Sequence, residues 1–240
     1  MQRITYDLHI HSCLSPCGDN ESTPANIVGM AAVAGLDAIA IADHNSCKNL
    51  PAAAVLAEAY GVILVPAMEL TTMEDVHVLS YFPSVDQALA FSEYVEEHSM
   101  FMKNKPEFFG EQLIYNEDDE MIGTEPRLLH TASDISFDEV YDVLKPFNGL
   151  MVPAHVNKST TSVLANLGFI PPGSRFTAAE IQTFDLIGQL QEQHPYLKRC
   201  HILSSSDAHY LKDIQDPIRI LHVEEKSVKD ILDALSSYVE

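Results

Sequence analysis

The sequence predicts an α/β fold in which parallel strands alternate with helices. Seven short runs rich in Val, Ile, Leu and Ala have the composition of buried strands. They are ITYDLHI, DAIAIA, VILVPA, VHVLSYF, GLMVPA, AAEIQT and CHILSS. Segments with helical spacing lie between most of these runs. The alternation favours a barrel over a flat doubly wound sheet, although an open sheet of seven strands would have a similar pattern.

The first helix is predicted to start after Thr23, which can cap it, with Pro24 in its first turn. Later helices are predicted from AAAVLAEAY, DQALAFSEYVEEH, FDEVYDVLK, SVLANLG, LIGQLQEQH and VKDILDALSSYV. Residues 100–135 interrupt this alternation, and EQLIYNEDDEMIGTE within them is typical of a hairpin with an acidic tip. We interpret the tip as a solvated turn, because it lacks the spaced ligands of a calcium loop. We expect residues 1–240 to form one domain, with 100–135 as an insertion that caps the barrel mouth.

The charge balance is strongly acidic. Asp and Glu number 35 against 14 Lys and Arg, which gives a net charge of −21. Such a surface should repel nucleic-acid phosphates and anionic lipid headgroups, so we expect no long nucleic acid and no membrane as partners. Bound divalent cations would offset the charge locally, and a small or terminal phosphate therefore remains compatible with the composition.

The chain start and the cysteines indicate a cytoplasmic protein. The segment MQRITYDLHI lacks the apolar core of a signal peptide, and no run of residues is apolar enough for a membrane span. The four cysteines are too few and too irregularly spaced for a disulfide framework, so we expect reduced thiols. Cys13 and Cys17 lie near a histidine motif, but their spacing does not favour a zinc site of the paired-cysteine type.

The first strand carries polar side chains at alternating positions. Asp7, His9 and His11 are two residues apart, so in a regular strand they share one face. In a barrel that face would be the lumen at the carboxyl end of the strand, where such folds place their active sites. Two histidines and a carboxylate in this spacing indicate metal ligands more than structural residues.

Most of the other predicted strands also carry possible metal ligands at or near their ends. These are Asp43, His44, Glu69, His77, His155, Asp207 and His209. Burying so many carboxylates and imidazoles without a metal would be costly. Mixed nitrogen and oxygen ligands favour zinc, manganese or iron over calcium and magnesium, so the sequence predicts a centre of two or three such divalent ions.

Four separated motifs resemble the PHP family, the polymerase and histidinol phosphatase type of metal-dependent phosphoesterase. The motifs are DLHIHS, IADHNS, PAHVNKS and SSDAH, and they occur in the order found in that family, within residues 1–82 and 150–210. The resemblance implies a distorted, TIM-like (β/α)7 barrel with two or three metals at the carboxyl ends of its strands. The insertion lies outside the resemblance.

The resemblance also implies a ligand set. The implied first site contains His9, His11, Asp207 and Glu69. Glu69 bridges to a second metal, whose remaining ligands are His77 and His155. A third metal would use His44, His209 and a residue soon after the HxH motif, for which we choose Asp19. Three extra residues separate Asp19 from His11 relative to the family pattern, and Cys17 or water are alternatives.

Further side chains have expected roles around this centre. Asp7 and Asp43 are candidate catalytic residues that orient a ligand or a water. Asn157 and Lys158 follow His155 and are placed to meet a substrate phosphate, although Lys158 could equally be a surface lysine. Five histidines are left outside the set: His98, His130, His194, His201 and His222. Among them, His130 is the one that could reach the site if the hairpin folds over it.

The predicted activity is hydrolysis of small phosphate esters, such as nucleotide, sugar or amino-alcohol phosphates, by a metal-activated water. One alternative is another metallohydrolase chemistry of the amidohydrolase type, whose barrels also begin with HxH. Those barrels commonly bridge their metals with a carboxylated lysine, and no lysine ends a predicted inner strand here. The other alternative is a non-catalytic, metal-stabilised binding module.

Overall fold

Strands and helices alternate along most of the chain in the computed structural model, which describes residues 1–214 and 218–239. The strands are β1 (Gln2–Ile10), β2 (Ala38–Ile41), β3 (Ile63–Leu64), β4 (Ala67–Thr71), β5 (His77–Tyr81), β6 (Leu113–Tyr115), β7 (Met121–Thr124), β8 (Leu150–Pro153), β9 (Ala178–Glu180), β10 (His201–Leu203) and β11 (Ile220–Val223). The α-helices are α1 (Pro24–Ala34), α2 (Leu50–Tyr60), α3 (Val85–Glu97), α4 (Pro106–Phe109), α5 (Phe137–Leu144), α6 (Ile187–Gln193) and α7 (Val228–Leu235). Within the described residues no helix combines the length and the apolar character needed to cross a membrane.

The first helix starts and stops where its sequence signals predict. The Thr23 hydroxyl accepts a hydrogen bond from the backbone N–H of Asn26 at 3.3 Å, and Pro24 opens the helix. Gly35 ends it in the left-handed conformation, with φ +77°. The segment SVLANLG differs from its prediction, because it forms only a short π-helical stretch at Val163–Leu167.

The strands form an α/β arrangement of parallel and antiparallel pairs. β1, β2 and β3 are parallel neighbours, and so are β9 and β10, whereas β11 pairs with β1 in the antiparallel direction. The strands β4, β5 and β8 form an antiparallel sheet. The expectation of uniformly parallel strands is wrong for this sheet. For β4 and β5 the reason is that residues 72–76 are too few for the crossover that a parallel pair needs. The predicted hairpin is present as the antiparallel pair β6–β7.

The described strands lie in separate sheets of four, three, two and two strands, so the closed (β/α)7 barrel stays a prediction. Backbone hydrogen bonds nevertheless join the ends of these sheets. The N–H of His11 donates to Ala208 O at 2.8 Å, and the N–H of Val156 donates to Glu180 O at 2.8 Å. A third bond, from Asn45 N to Glu69 O at 3.0 Å, links the end of β2 to β4. The sheet ends therefore surround one region, in which the polar side chains meet.

The hydrophobic core has two parts, which support these strand ends. One part packs the helices against the sheets, with Ile27, Ile39 and Phe91 among its fully buried members. The other joins the strands to one another and includes Tyr6 and Tyr81. The Tyr81 hydroxyl donates to Leu8 O at 2.9 Å, which satisfies its buried polar atom inside this second part. The site is thus built on strands fixed by packing on both faces.

Candidate metal centre

Five imidazoles surround the buried carboxylate of Glu69, which lies in the middle of β4 and is 1% exposed. The nitrogens that face its oxygens are His9 Nε2 (3.4 Å), His11 Nε2 (3.3 Å), His44 Nδ1 (3.1 Å), His77 Nδ1 (3.0 Å) and His155 Nε2 (3.1 Å). The imidazoles come from the ends of four different strands or from the loops that follow them. A single carboxylate in such a ring can bridge more than one cation.

The hairpin of β4 and β5 fixes two of these groups together. Glu69 pairs with Leu79, and Thr71 pairs with His77, so the register of one antiparallel pair sets the distance between Glu69 and His77. An isolated parallel bridge between His44 and Glu69 adds the end of β2. The geometry of Glu69 therefore follows from backbone pairing on both sides of β4.

Several atoms of this centre are buried without a hydrogen-bond partner among the described residues. They are His9 Nε2, His11 Nε2, His44 Nδ1 and Glu69 Oε2. A buried polar atom left unpaired costs about 1–3 kcal/mol, so four in one place need an explanation. Cations placed between them would satisfy all four, and nitrogen and carboxylate donors suit zinc, manganese or iron.

Three groups of donor atoms lie close enough together to hold a metal ion. They are His9, His11 and Glu69; His44, Glu69 and His77; and His11, Cys17, His44 and His209. In each group the donor atoms lie within 4.8 Å of one another. The side chains therefore fit a centre of two or three divalent ions.

Asp207 lies at the mouth of the centre. Its Oδ1 is 3.3 Å from His11 Nε2 and 3.5 Å from His9 Nε2, and its Oδ2 accepts a hydrogen bond from Lys158 Nζ at 2.9 Å. Its backbone is in the left-handed region, with φ +52°, an uncommon conformation for aspartate. The Nδ1 of His209 lies 2.7 Å from Asp207 O, so Nδ1–H donates to this carbonyl and leaves the other ring nitrogen free to bind a metal.

Two of the imidazoles are linked to buried carboxylates through the ring nitrogen that faces away from Glu69, one directly and one through a serine hydroxyl. His9 Nδ1 lies 3.0 Å from Glu180 Oε2, which also accepts the backbone N–H of His155 at 3.0 Å. His11 Nδ1 lies 3.0 Å from Ser15 Oγ, and the Ser15 hydroxyl donates to Asp43 Oδ1 at 2.6 Å. Such partners fix the ring orientation and tautomer of a metal-binding histidine.

The electrostatics of the centre favour ionised carboxylates. Burial alone would raise the pKa of Glu69, but the surrounding imidazoles outweigh it and hold the pKa well below its usual value. Burial alone would lower the pKa of His9, yet the carboxylates of Glu180, Glu69 and Asp207 raise it well above its usual value. Burial lowers the pKa of His44 well below its usual value. These directions keep the Glu69 carboxylate ionised, which is the form that binds cations.

Three of the predicted catalytic and substrate-binding residues form hydrogen bonds that hold neighbouring segments of the site in place. They are Asp7, Asp43 and Asn157. Asp7 Oδ1 accepts the N–H of Ser206 at 2.9 Å, which ties β1 to the segment that carries Asp207. Asp43 accepts hydrogen bonds from both the N–H and the hydroxyl of Ser12, at 2.7 and 2.6 Å. The Asn157 side-chain oxygen accepts the N–H of Gln182 at 2.9 Å, which joins the loops after β8 and β9. Their proposed contacts with water or substrate stay predictions.

Three of the metal ligands chosen from sequence are not members of the three donor groups of the described chain: Asp19, His155 and Asp207. His155 Nε2 still lies 3.1 Å from Glu69 Oε1, and Asp207 Oδ1 lies 3.3 Å from His11 Nε2. The Oδ1 of Asp19 instead accepts the N–H of Glu21 at 2.9 Å. Cys17 takes the corresponding place beside His11, His44 and His209. A turn after β1 shortens the path of the chain, so Cys17 rather than Asp19 reaches the imidazoles.

The predicted ligand set leaves out two other side chains at the centre, although His130 is the histidine expected to reach the site if the insertion folds over it. Glu180 ends β9, and the same strand-end argument that selected Glu69 could have found it. His130 lies in the insertion, yet its Nε2 is 3.3 Å from Cys17 Sγ and its ring centre is 4.5 Å from that of His44. No local pattern marks His130, because only the folding of the insertion brings it there.

The motif resemblance and this geometry can be compared with known proteins. The sequence matches no protein-family model and no curated protein. A protein from Bifidobacterium adolescentis that has been assigned as a metal-dependent phosphoesterase matches in structure with a TM-score of 0.62 and 18% identity, over 95% of this chain and 96% of that one. A two-domain protein from Bacteroides vulgatus with a PHP-like metal-dependent phosphoesterase matches with a TM-score of 0.56 and 18% identity, over 98% and 63% of the two chains. The chain has the fold of the PHP-like phosphoesterases. The structural likeness confirms, at the level of fold, the resemblance seen in the motifs.

The PHP fold is shared with the lesion-specific endonuclease Q from Pyrococcus furiosus. That structure matches with a TM-score of 0.72 and 19% identity, over 98% of this chain and 56% of that one. The chain thus spans just over half the length of the endonuclease. A complex of endonuclease Q with a 27-mer duplex carrying an abasic lesion matches with a TM-score of 0.64 and 19% identity, over 96% of this chain and 55% of that one.

These structures correct the exclusion of long nucleic acid that the acidic composition suggested. Endonuclease Q binds duplex DNA with the lesion at its active site, so this PHP fold is compatible with a nucleic-acid partner. The deduction is wrong because net charge averages over the whole surface. A phosphate at the centre responds to the local field, which bound cations would reverse.

Replacing Glu180 by glutamine is expected to weaken metal binding about tenfold, the lower end of the effect usual for partners of metal-bound histidines. The amide keeps an acceptor for His9 but removes the negative charge that strengthens the imidazole as a ligand. Titration of metal-free protein with zinc, followed by calorimetry, measures the change. An unchanged affinity would show that Glu180 does not support His9 in this way.

Proposed function

We propose that the chain is a metal-dependent phosphoester hydrolase, a phosphatase or phosphodiesterase, that acts on small phosphate esters such as nucleotide, sugar or amino-alcohol phosphates. The observation that carries this proposal is the ring of imidazoles around Glu69, with four of its atoms buried and unpaired among the described residues. Two or three divalent ions of zinc, manganese or iron, when bound there, would acidify a water molecule and neutralise charge on phosphate oxygens. The histidines, Glu69 and Asp207 would hold them.

The chain itself offers a place for the phosphate next to this ring. A cavity of about 310 Å³ opens beside the centre and is lined in part by His155, Gln182 and Asp207. Lys158 is connected to this lining through Asp207, because its ammonium is bound to Asp207 Oδ2, and its side chain is 33% exposed. Burial alone would lower the pKa of Lys158, but Asp207 raises it above its usual value, so the ammonium stays charged. A charged donor next to Asp207 can bind a phosphate oxygen.

Lys158→Ala is expected to raise KM for a phosphate monoester about 10- to 100-fold, while the metal content stays the same. A hydrogen bond to a charged group contributes about 1.5–3 kcal/mol, and a contact made equally in the ground and transition states changes KM more than kcat. Steady-state kinetics on metal-loaded protein measure both constants. Lys145→Ala is the matched control, because Lys145 forms a similar pair with Asp142 on the surface, at 2.8 Å. An unchanged KM in Lys158→Ala would make Lys158 a surface lysine.

A phosphodiester in a DNA strand is the second candidate substrate. The specific observation that favours it is the likeness to endonuclease Q over 98% of this chain. The insertion also exposes Phe101 (61%) and Phe108 (76%), and exposed aromatic rings can stack on bases. Lys103 and Lys105 lie between these rings in sequence and could contact a strand backbone.

The two alternatives from the sequence are weaker. Amidohydrolase-type barrels commonly bridge their metals with a carboxylated lysine, whereas the group in the bridging position here is the carboxylate of Glu69. A non-catalytic module would not need so many converging imidazoles. The experiment below therefore includes a result for each of them: amide hydrolysis, or bound metal without turnover.

The decisive experiment combines metal analysis with a substrate panel on one sample purified without chelator. The panel contains para-nitrophenyl phosphate, its bis ester, nucleotides, a duplex with an abasic site, and amide and deaminase substrates. Turnover of monoesters or small diesters supports the proposal, and cleavage restricted to the duplex replaces it by the second candidate. Amide hydrolysis alone, or bound metal without any turnover, would contradict both.

A further inference from the structure

The loop after β1 carries Cys17 into the metal centre. Its turn is tight, because Ser15 N donates to Ser12 O at 3.1 Å and Gly18 N donates to Ser15 O at 2.8 Å. A Cβ atom on Gly18 would lie 2.2 Å from Ser12 O, so this position requires glycine. The turn therefore fixes where the neighbouring Cys17 side chain lies.

The surroundings of Cys17 consist of metal-ligand side chains. A donor atom from each of His11, His44 and His209 lies within 4.8 Å of its sulfur and of the others. His44 is 3% exposed, and its ring nitrogen Nδ1 has no hydrogen-bond partner among the described residues. The group thus has four donors and at least one buried nitrogen without a partner.

The neighbouring residues do not compete for this position. The Asp19 carboxylate is used by the N–H of Glu21, and its own N–H donates to His209 O at 2.8 Å. Cys13, four residues earlier, points to Leu113 O, with its sulfur at 3.7 Å from that oxygen. Cys17 is the cysteine of the described chain that joins a donor group.

We infer that Cys17 supplies a thiolate ligand to the third metal, together with His44 and His209, and that His130 of the insertion contacts this sulfur. His11 lies beside this group, but its Nδ1 is bonded to Ser15 and its Nε2 faces Glu69 and Asp207, so His11 is left to the first metal. The inference rests on the proposed metal-dependent hydrolase and names a ligand of that centre. A sulfur donor makes the third site softer than the two sites built from imidazoles and carboxylates. It therefore favours zinc, cobalt or ferrous iron over manganese at this position. His130 Nε2, 3.3 Å from the sulfur, gives the insertion a direct contact with the site.

The test uses the full chain loaded with cobalt(II). A thiolate bound to cobalt(II) gives a charge-transfer absorption in the near ultraviolet, which imidazole and carboxylate ligands do not give. We expect the wild-type protein to show this band with about three cobalt ions per chain, one at the Cys17 site and two at the sites that share Glu69. Cys17→Ser should lose the band and retain about two ions, since the other two groups do not contain Cys17.

Two further variants make the test specific. Cys17→Asp should lose the band but regain the third ion, because a carboxylate is also a ligand for cobalt. Cys13→Ser should keep both the band and the third ion. If Cys17→Ser does not fold, Cys17→Asp carries the test alone.

The inference is overturned if wild-type protein lacks the band, or if the band and the third ion persist in Cys17→Ser. These measurements do not depend on turnover. A protein that shows the band but hydrolyses no phosphoester would keep Cys17 as a ligand and refute the proposed hydrolase, so the two failures are distinguishable.

Discussion

Glu69→Gln is expected to lower kcat/KM about 1,000-fold or more and to release at least one metal ion per chain. The carboxylate faces five imidazole nitrogens and is the group in the bridging position between two donor groups. Glutamine has almost the same shape but no charge, so it cannot bridge two cations. Metal ions supply several kcal/mol of transition-state stabilisation, and about 4 kcal/mol corresponds to three powers of ten in rate. Kinetics and elemental analysis of the same sample measure the two effects.

Glu125→Gln is the matched control for this variant. Glu125 is also buried, at 5% exposed, but it forms an ion pair with Lys48 and accepts the N–H of Arg127. It lies outside the three donor groups of the described chain. We expect its metal content and kcat/KM to match those of wild type. Full activity in Glu69→Gln would contradict the proposed centre.

Removing the metals with a chelator is expected to lower the melting temperature by about 10 °C. A ligand present at about 1,000 times its dissociation constant stabilises the folded state by about 4 kcal/mol, and a domain of this size loses about 2–4 °C per kcal/mol. The physical origin is the set of buried atoms, including His9 Nε2 and Glu69 Oε2, that would lose their partners. Calorimetry before and after dialysis against chelator, and after adding zinc or manganese, measures the shift.

The Glu69→Gln variant provides an internal control for this experiment. Because it should already bind fewer ions, the chelator should lower its melting temperature by a smaller amount than in wild type. An equal shift in the two proteins, or no shift in wild type, would show that metal at Glu69 does not stabilise the fold.

The sequence predicts which of these side chains lie near one another, since strand periodicity and strand ends can be recognised locally. His9 and His11 are two residues apart at the end of β1, and Glu69 and His77 lie in adjacent apolar runs. The structure brings all four together, although their role as ligands is still a prediction. Glu180 was overlooked, although it ends its strand in the same manner.

Other parts could not be predicted from local patterns. The choice between Asp19 and Cys17 depends on a tight turn, whose path periodicity does not describe. The approach of His130 depends on how the whole insertion packs. The direction of β4 relative to β5 was also missed, because the composition of a strand does not report its direction, although the short link of residues 72–76 did contain that information.

That short link constrains how this protein can vary. Two hydrogen bonds close the turn. The N–H of Thr72 donates to Val76 O at 3.0 Å, and the N–H of Val76 donates to Thr72 Oγ1 at 3.2 Å. Adding or deleting one residue there would slip the register of β5 and turn His77 to the opposite face of the sheet. The separation of eight residues between Glu69 and His77 is therefore a fixed length. Changes in chain length are accommodated far more readily at exposed loop tips, such as residues 117–120 between β6 and β7.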